Sequence, residues 1–120
     1  MKTYQITANN ITYDIIEYPD GSKHWYLNDK YHRENGPAIE NYNGDKVWYK
    51  NGQRHRDNGP AVEFAVGIKG WYKNGFLHRD NGPAVERING KNDYWYNGKR
   101  LKNINSDEEL IRYIKLLSIS

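Results

Sequence analysis

The sequence predicts a mainly β protein, an antiparallel meander of 23-residue hairpin repeats in an elongated sheet with one C-terminal α-helix. Three observations predict this fold class. The same residues recur every 23 positions, Asn-Gly pairs punctuate the chain, and the apolar spacing becomes helical after residue 105. A chain of 120 residues has the size of one domain.

The repeat holds its period without an insertion or deletion, and its most regular members are aromatic, His-Arg and Gly-Pro-Ala segments. They are Trp25-Tyr26, Trp48-Tyr49 and Trp71-Tyr72; His32-Arg33, His55-Arg56 and His78-Arg79; and Gly36 to Ala38, Gly59 to Ala61 and Gly82 to Ala84. Such a period is typical of supersecondary units that bury a core only against their neighbours.

The glycines indicate where the chain turns, because eight of the 11 follow an asparagine. Asn-Gly favours tight hairpins, since both residues tolerate positive φ. In the middle unit we expect a strand over Ala61 to Phe64, a second over Lys69 to Lys73 and a turn at Asn74-Gly75. Each unit therefore contains two or three short strands.

The two ends depart from the repeat as caps would. Alternating apolar residues predict an N-terminal hairpin over 1–18, and about 3.5 repeats cover 15–105. Ser106 and Glu109 form a capping box before an apolar stripe, which predicts a helical cap over 106–117. The helix is expected to cover an end or face of the sheet, and residues 1–120 form a single repeat domain.

The unit GxKxWYxNGxxHRxNGPAVE resembles the MORN repeat, and more closely a variant with an HRxxGPA signature found in phage, giant-virus and some bacterial proteins. The resemblance implies consecutive hairpins in an elongated sheet. The sequence departs from MORN repeats at two positions of each unit, so lipid binding is not carried over. These are Arg33, Arg56 and Arg79, and Pro37, Pro60 and Pro83.

Enzymatic and metal-binding roles find little support in the pattern. The chain has no cysteine, and none of its few serines stands at a repeated position near the histidines. Equivalent histidines of successive units are two strands apart, which is too far for them to share a metal. We therefore predict no catalytic residue, no cofactor and no metal. Each Arg is expected to stack on an aromatic or pair with the acid that follows it (Glu34, Asp57, Asp80), and each His to bond backbone at the turn.

Function is then expected where the units differ. Variable positions after the second turn of each unit are candidates for binding a protein partner: Phe76, Leu77, Tyr31 and Arg54. The last repeat holds five basic residues and one acid between 87 and 102, and its candidates for binding a polyanion are Arg87, Lys91, Lys99, Arg100, Lys102 and Trp95.

These features predict a non-enzymatic protein-binding module, and the resemblance suggests a phage or viral accessory protein that inhibits a host defence protein such as a CRISPR nuclease. Nucleic-acid or other polyanion binding through the basic last repeat is the alternative, and a hydrolase using His and Glu is a third. Without cysteines, a membrane span or a signal peptide, we expect a soluble protein of the cytoplasm, the host's if viral. A homodimer would offset the small core.

Overall fold

The structure, a computed structural model, describes residues 1–119 as one elongated, thin body of 49 × 32 × 19 Å. It is mainly β, as predicted, with fifteen strands followed by one helix. The strands are β1 (Lys2–Ala8), β2 (Ile11–Glu17), β3 (Lys23–Leu27), β4 (Lys30–Tyr31), β5 (Ile39–Glu40), β6 (Lys46–Val47), β7 (Tyr49–Lys50), β8 (Gln53–Arg54), β9 (Val62–Glu63), β10 (Lys69–Gly70), β11 (Tyr72–Lys73), β12 (Phe76–Leu77), β13 (Val85–Glu86), β14 (Trp95–Tyr96) and β15 (Lys99–Arg100). The helix is α1 (Asp107–Ser118).

Nine strands form one antiparallel meander in the order β1-β2-β3-β5-β6-β9-β10-β13, with β4 paired to β3. The remaining strands form three separate hairpins, β7-β8, β11-β12 and β14-β15. Neighbouring hairpins are joined by backbone hydrogen bonds, such as that from the Gly75 N–H to the Arg54 carbonyl, 2.9 Å. Each repeat thus contributes two strands to the long sheet and a hairpin beside it.

The two parts of a repeat meet at its tryptophan. Trp71 donates its backbone N–H to the Ala84 carbonyl at 2.7 Å, and its own carbonyl accepts the His78 N–H at 3.0 Å. At this residue the backbone therefore changes from pairing within the long sheet to pairing within the hairpin beside it. The predicted single strand over Lys69 to Lys73 is wrong, because it is divided here into β10 and β11. A repeat consequently has four two-residue strands rather than two or three.

Only some of the Asn-Gly pairs make two-residue hairpin turns. Asn74 and Gly75 both have positive φ, 51° and 87°, which is the type I′ geometry. The same pattern occurs at Asn9-Asn10, Asn28-Asp29, Asn51-Gly52 and Asn97-Gly98. The other Asn-Gly pairs lie in wider turns or in the loops after His-Arg.

The core is small and lies at the N-terminal end, where the strands are longest. Tyr13, Ile15, Trp25 and Ala38 form its buried cluster, and the Tyr13 ring meets the Trp25 ring edge-on at 5.4 Å. Ala38 is the first of three equivalent alanines, one per repeat, that are fully buried, and the other two are Ala61 and Ala84. The sheet is elongated, as predicted, and β1 and β2 form the hairpin expected at the N-terminal end.

One face of the long sheet carries a row of alternating charges. Each lysine in the row pairs across the strands with glutamates, as Lys46 does with Glu40 and Glu63. Across the sheet the row reads Lys2, Glu17, Lys23, Glu40, Lys46, Glu63, Lys69, Glu86. Opposite charges on neighbouring strands favour this register over a shifted one.

The C-terminal helix begins where the sequence predicts it. Ser106 is its N-cap and accepts the Glu109 N–H at 3.2 Å. The Tyr94 hydroxyl donates to Asp107 at 2.7 Å, and burial together with this bond raises the pKa of Tyr94 to about 12. Leu101, which stands where earlier repeats have histidine, is buried, as is Leu110 of α1. Within residues 1–119 no helix is long and apolar enough to cross a membrane.

Leu110 should be the position that ties α1 to the sheet. We expect Leu110→Ala to lower the free energy of unfolding by about 2–4 kcal/mol, because its side chain is fully buried. The neighbouring Ile111 is 44% exposed, so Ile111→Ala is the control and should cost less than about 1 kcal/mol. Urea unfolding measures both, and equal losses would show that α1 does not pack through Leu110.

Candidate functional site

Each His-Arg loop holds its arginine between a tryptophan and a glycine. In the middle repeat the Arg56 guanidinium lies 3.9 Å from the centre of the Trp48 ring. Its Nη1 donates to the Pro60 carbonyl at 3.0 Å and to Glu63 at 3.1 Å. A Cβ on Gly59 would lie 3.0 Å from Arg56 Cζ, closer than an ordinary van der Waals contact, so a side chain after the asparagine would push the guanidinium out of its place. We call this arrangement the arginine clasp.

The clasp occurs three times with the same partners. Arg33 lies 3.6 Å from the Trp25 ring centre and Arg79 lies 3.8 Å from that of Trp71. They bond Glu40 and Glu86 and the carbonyls of Pro37 and Pro83. The predicted stacking of Arg on an aromatic is confirmed. The predicted alternative, pairing with the following acid, is wrong, because that acid bonds histidine instead.

Each of the repeated histidines connects its own loop to the next repeat. His55 Nε2 lies 2.7 Å from Asp57 Oδ1, and its Nδ1 accepts the Asn74 N–H at 3.1 Å. Since Nδ1 accepts, the proton of the neutral ring is on Nε2, which donates to the carboxylate. The hydrogen bond with His55 holds the pKa of Asp57 below its ordinary value. Histidine therefore bonds backbone at a turn, as predicted, but the turn belongs to the following unit.

The other two histidines repeat this geometry, so the signature residues are used within the fold. His32 bonds Glu34 and the Asn51 N–H, and His78 bonds Asp80 and the Asn97 N–H, all at 2.8–2.9 Å. In residues 1–119 there is no group of three or more His, Asp or Glu side chains that could hold a metal ion. Both ring nitrogens of each repeated histidine are therefore hydrogen bonded within the fold.

Three of the four predicted partner-binding residues lie on one face of the hairpins, in equivalent positions. Tyr31 stacks between Tyr26, with ring centres 4.8 Å apart, and Tyr49, at 4.9 Å. Arg54 donates to the Tyr72 hydroxyl at 3.1 Å. Leu77 is the strand partner of Tyr72. All three are half-buried in this stack of side chains.

Phe76, the fourth, lies apart from them and is 59% exposed. Its ring covers the next hairpin turn, since a Cβ on Gly98 would lie 2.9 Å from Phe76 Cδ1. The structure therefore places the predicted candidates in two locations, a stack along the hairpins and a single exposed ring beside a turn.

The basic residues of the last repeat divide into paired and unpaired groups. Arg87 and Arg100 both bond Asp93, each at 3.0 Å, so part of the predicted charge is neutralised. Lys91, Lys99 and Lys102 are exposed, and Trp95 is half-buried. A groove of about 420 Å³ runs between the β15 segment and α1, lined by Lys99, Arg100, Lys102 and Tyr113 among others.

The first turns of successive repeats form a row of exposed apolar side chains that the sequence prediction missed. Tyr42 is 73% exposed, Val66 72% and Ile88 85%, and Phe64 is partly exposed beside them. Neighbouring turns are in contact, since a Cβ on Gly67 would lie 2.7 Å from Ile88 Cδ1. We call these four residues the apolar rim.

The signal for the rim was present in the sequence. Turns are normally filled by Gly, Asn, Asp, Pro and Ser, so valine and isoleucine immediately before a turn glycine or its asparagine are unusual. The rim residues do not keep a strict 23-residue identity, so the repeat pattern alone does not mark them. Their shared place becomes visible only when the turns lie side by side.

A polar groove of about 690 Å³ lies between the loops after Arg56 and Arg79. Its walls are polar and include both clasped arginines and the histidines His55 and His78. Each of these four side chains already has hydrogen-bond partners within its own loop or the next hairpin, so the groove reflects the spacing of successive loops.

Comparisons of the chain with family models, curated proteins and solved structures find no match. The resemblance to MORN-like repeats thus stays a prediction that depends on the repeated residues alone.

The clasp predicts a coupling between Arg56 and Gly59. Gly59→Ala should lower the free energy of unfolding by about 1–3 kcal/mol, because the guanidinium cannot move without leaving Trp48 and Glu63. In an Arg56→Ala background the same change should cost at least 1 kcal/mol less, by a rough estimate for contacting residues. Denaturant unfolding of the four proteins measures this cycle. Equal costs in both backgrounds would contradict the clasp.

Proposed function

We propose that this chain is a non-enzymatic protein-binding module and that the apolar rim is its main contact surface. The observation that carries the proposal is the exposure of Tyr42, Val66 and Ile88 on adjoining turns. The turns themselves do not require apolar residues, since Asp20 and Asn43 stand where Val66 stands in the third turn. Contiguous exposed apolar side chains are typical of protein interaction sites.

The use of the repeated polar residues supports a non-enzymatic role. A general base needs a nitrogen or carboxylate free to take a proton from substrate. Both nitrogens of His55 are hydrogen bonded, one to Asp57 and one to the Asn74 N–H, and Glu63 is bonded to Arg56. The same arrangement recurs in the neighbouring repeats, which is typical of structural rather than catalytic groups.

The narrower proposal is that the partner is a host defence protein, such as a CRISPR nuclease, and that the chain is a phage or viral accessory protein of the host cytoplasm. Its support is the resemblance of the HRxxGPA repeats to proteins of phages and giant viruses. A gene neighbourhood of phage functions would favour it, and one of bacterial housekeeping genes would contradict it.

The rim can be tested by a charge substitution that leaves the clasps untouched. Val66→Asp combined with Ile88→Asp should reduce capture of binding proteins from a bacterial lysate about tenfold, because carboxylates there oppose desolvation. Phe76→Asp, at the other end of the strands, is the matched control and should capture the same proteins as the wild type. Loss of capture with Phe76→Asp but not with the rim variant would move the contact to Phe76.

A polyanion-binding role is the second candidate, and the groove beside α1 favours it. Lys99 and Lys102 are exposed at this groove together with Arg100, and Tyr113 supplies an aromatic wall. Lysines at such a groove could neutralise phosphates while a ring packs on a base. Arg100 is less available, because it bonds Asp93.

For this role, Lys99→Glu should weaken binding of a labelled single-stranded DNA of about 20 nucleotides. The slope of the logarithm of the binding constant against the logarithm of the salt concentration should fall by about one, because about one fewer counterion is released. Lys30→Glu is the matched control, since Lys30 occupies the equivalent position three repeats earlier and changes the net charge equally. Fluorescence anisotropy between 50 and 200 mM salt, roughly the range in which such binding changes most, measures both. Equal effects of the two variants would exclude the groove as the site.

A further inference from the structure

The first strand is an open edge of the nine-stranded sheet. β1 stands at the end of the strand order and pairs only with β2 over all seven of its residues. Six of the seven are exposed, and the single charge is Lys2 at its start. It has no proline and no bulge, which are the usual devices that keep an edge strand from pairing.

The hairpin turn determines which backbone groups of β1 face outward. Because Asn9-Asn10 is a two-residue type I′ turn, Ala8 and Ile11 form a hydrogen-bonded pair. The bonded pairs then alternate along the strands, so that every second residue of β1 bonds β2. The outward N–H and C=O groups are those of Thr3, Gln5 and Thr7.

We propose that a second copy of this chain pairs with β1 in an antiparallel, two-fold arrangement centred on Gln5. In that register Thr3 of each copy is opposite Thr7 of the other, and all outward groups of the three residues are bonded. Tyr4 lies opposite Ile6, an aromatic–aliphatic pair, and Lys2 lies opposite Ala8, so like charges do not meet. The whole strand overlaps, whereas any shifted antiparallel register leaves residues unpaired.

The other end of the sheet favours a closed pair over a growing fibre. β13 has two residues, and its outer neighbour is a single bridge between Val85 and Asp93. The last repeat and α1 follow β13 in the chain, and their side chains Leu101 and Leu110 are buried. In this isologous contact the β1 edge of one chain pairs with the β1 edge of the other. Both β1 edges are then occupied, so association stops at two chains. The apolar rim takes no part, so the dimer is independent of the proposed function.

Cross-linking tests the register directly, because the chain has no native cysteine. Across a hydrogen-bonded antiparallel pair the Cα atoms are about 5.5 Å apart, within disulfide range. Gln5→Cys should therefore oxidise to a covalent dimer. Asp14→Cys is the matched control, since Asp14 is the exposed β2 partner of Gln5 and would lie about 14 Å from its copy. A mixture of the Thr3→Cys and Thr7→Cys variants should form cross-linked dimers, because these two positions are opposite each other in the proposed register. Neither variant should cross-link when it is oxidised by itself.

Mass measurement tests the association of the unmodified chain. A seven-residue edge is smaller than standard interfaces, so light scattering should be run from about 10 µM to about 1 mM. The mass should rise from 14.2 kDa toward twice that value. Gln5→Pro removes an outward N–H and leaves the backbone bonds to β2 in place, although the bond from the Gln5 side chain to Asp14 is lost. It should shift half-association at least tenfold, by a rough estimate, to higher concentration. Gln5→Thr loses the same side-chain bond but keeps the outward N–H, and it should leave half-association unchanged.

Charge variants keep the test decisive if proline disturbs β1. Each charge variant also carries Asp14→Asn, because Asp14 contacts the side chain at position 5 and would otherwise pair with a lysine there. In this background Gln5→Lys and Gln5→Glu should each be monomeric, because like charges meet at the two-fold axis, and their mixture should form a heterodimer. Three outcomes would overturn the proposal: a wild-type monomer at about 1 mM, equal cross-linking of Gln5→Cys and Asp14→Cys, or a dimer that survives Gln5→Lys with Asp14→Asn.

Discussion

The contact between one His-Arg loop and the following repeat is the interaction on which the rest of this structure depends. The chain has too few apolar residues for a thick core, so the repeats hold together through polar and aromatic groups placed at each junction. The arginine clasp gives the loop its shape, with the guanidinium between Trp48 and Gly59, and His55 then accepts the Asn74 N–H of the next hairpin. A cation–π contact of this kind contributes about 0.5–2 kcal/mol, so three clasps are a large part of a small domain's stability.

This arrangement separates scaffold from function. Residues that recur at every period are bonded to one another, and surface chemistry is left to positions that vary, such as the rim turns and the last repeat. The caps follow the same logic. Leu101 replaces histidine in the last unit, which is followed by α1 instead of another hairpin, and its N–H still donates to the Tyr94 carbonyl as the histidine N–H does to tryptophan in earlier repeats. A terminal repeat with a helix over it thus closes one end while β1 leaves the other open.

Sequence reasoning found the period, the N-terminal hairpin and α1 because each depends on local spacing or capping. It failed where two distant segments compete for one group. The break at Trp71 arises because Ala84, thirteen residues later, accepts its N–H, and the partner of Arg56 is Glu63 because the loop folds back past Asp57. The apolar rim was missed for a related reason, since Val66 and Ile88 become neighbours only through stacking of the turns.

The most direct test of the junction is the state of the three repeated histidines in solution. Long-range ¹H–¹⁵N NMR of the imidazoles reports which nitrogen carries the proton, and a coupling through the hydrogen bond identifies the partner amide. We expect His32, His55 and His78 at neutral pH to be protonated on Nε2, with Nδ1 coupled to the amides of Asn51, Asn74 and Asn97. Protons on Nδ1, or imidazoles that average between both forms as in a free peptide, would contradict the account.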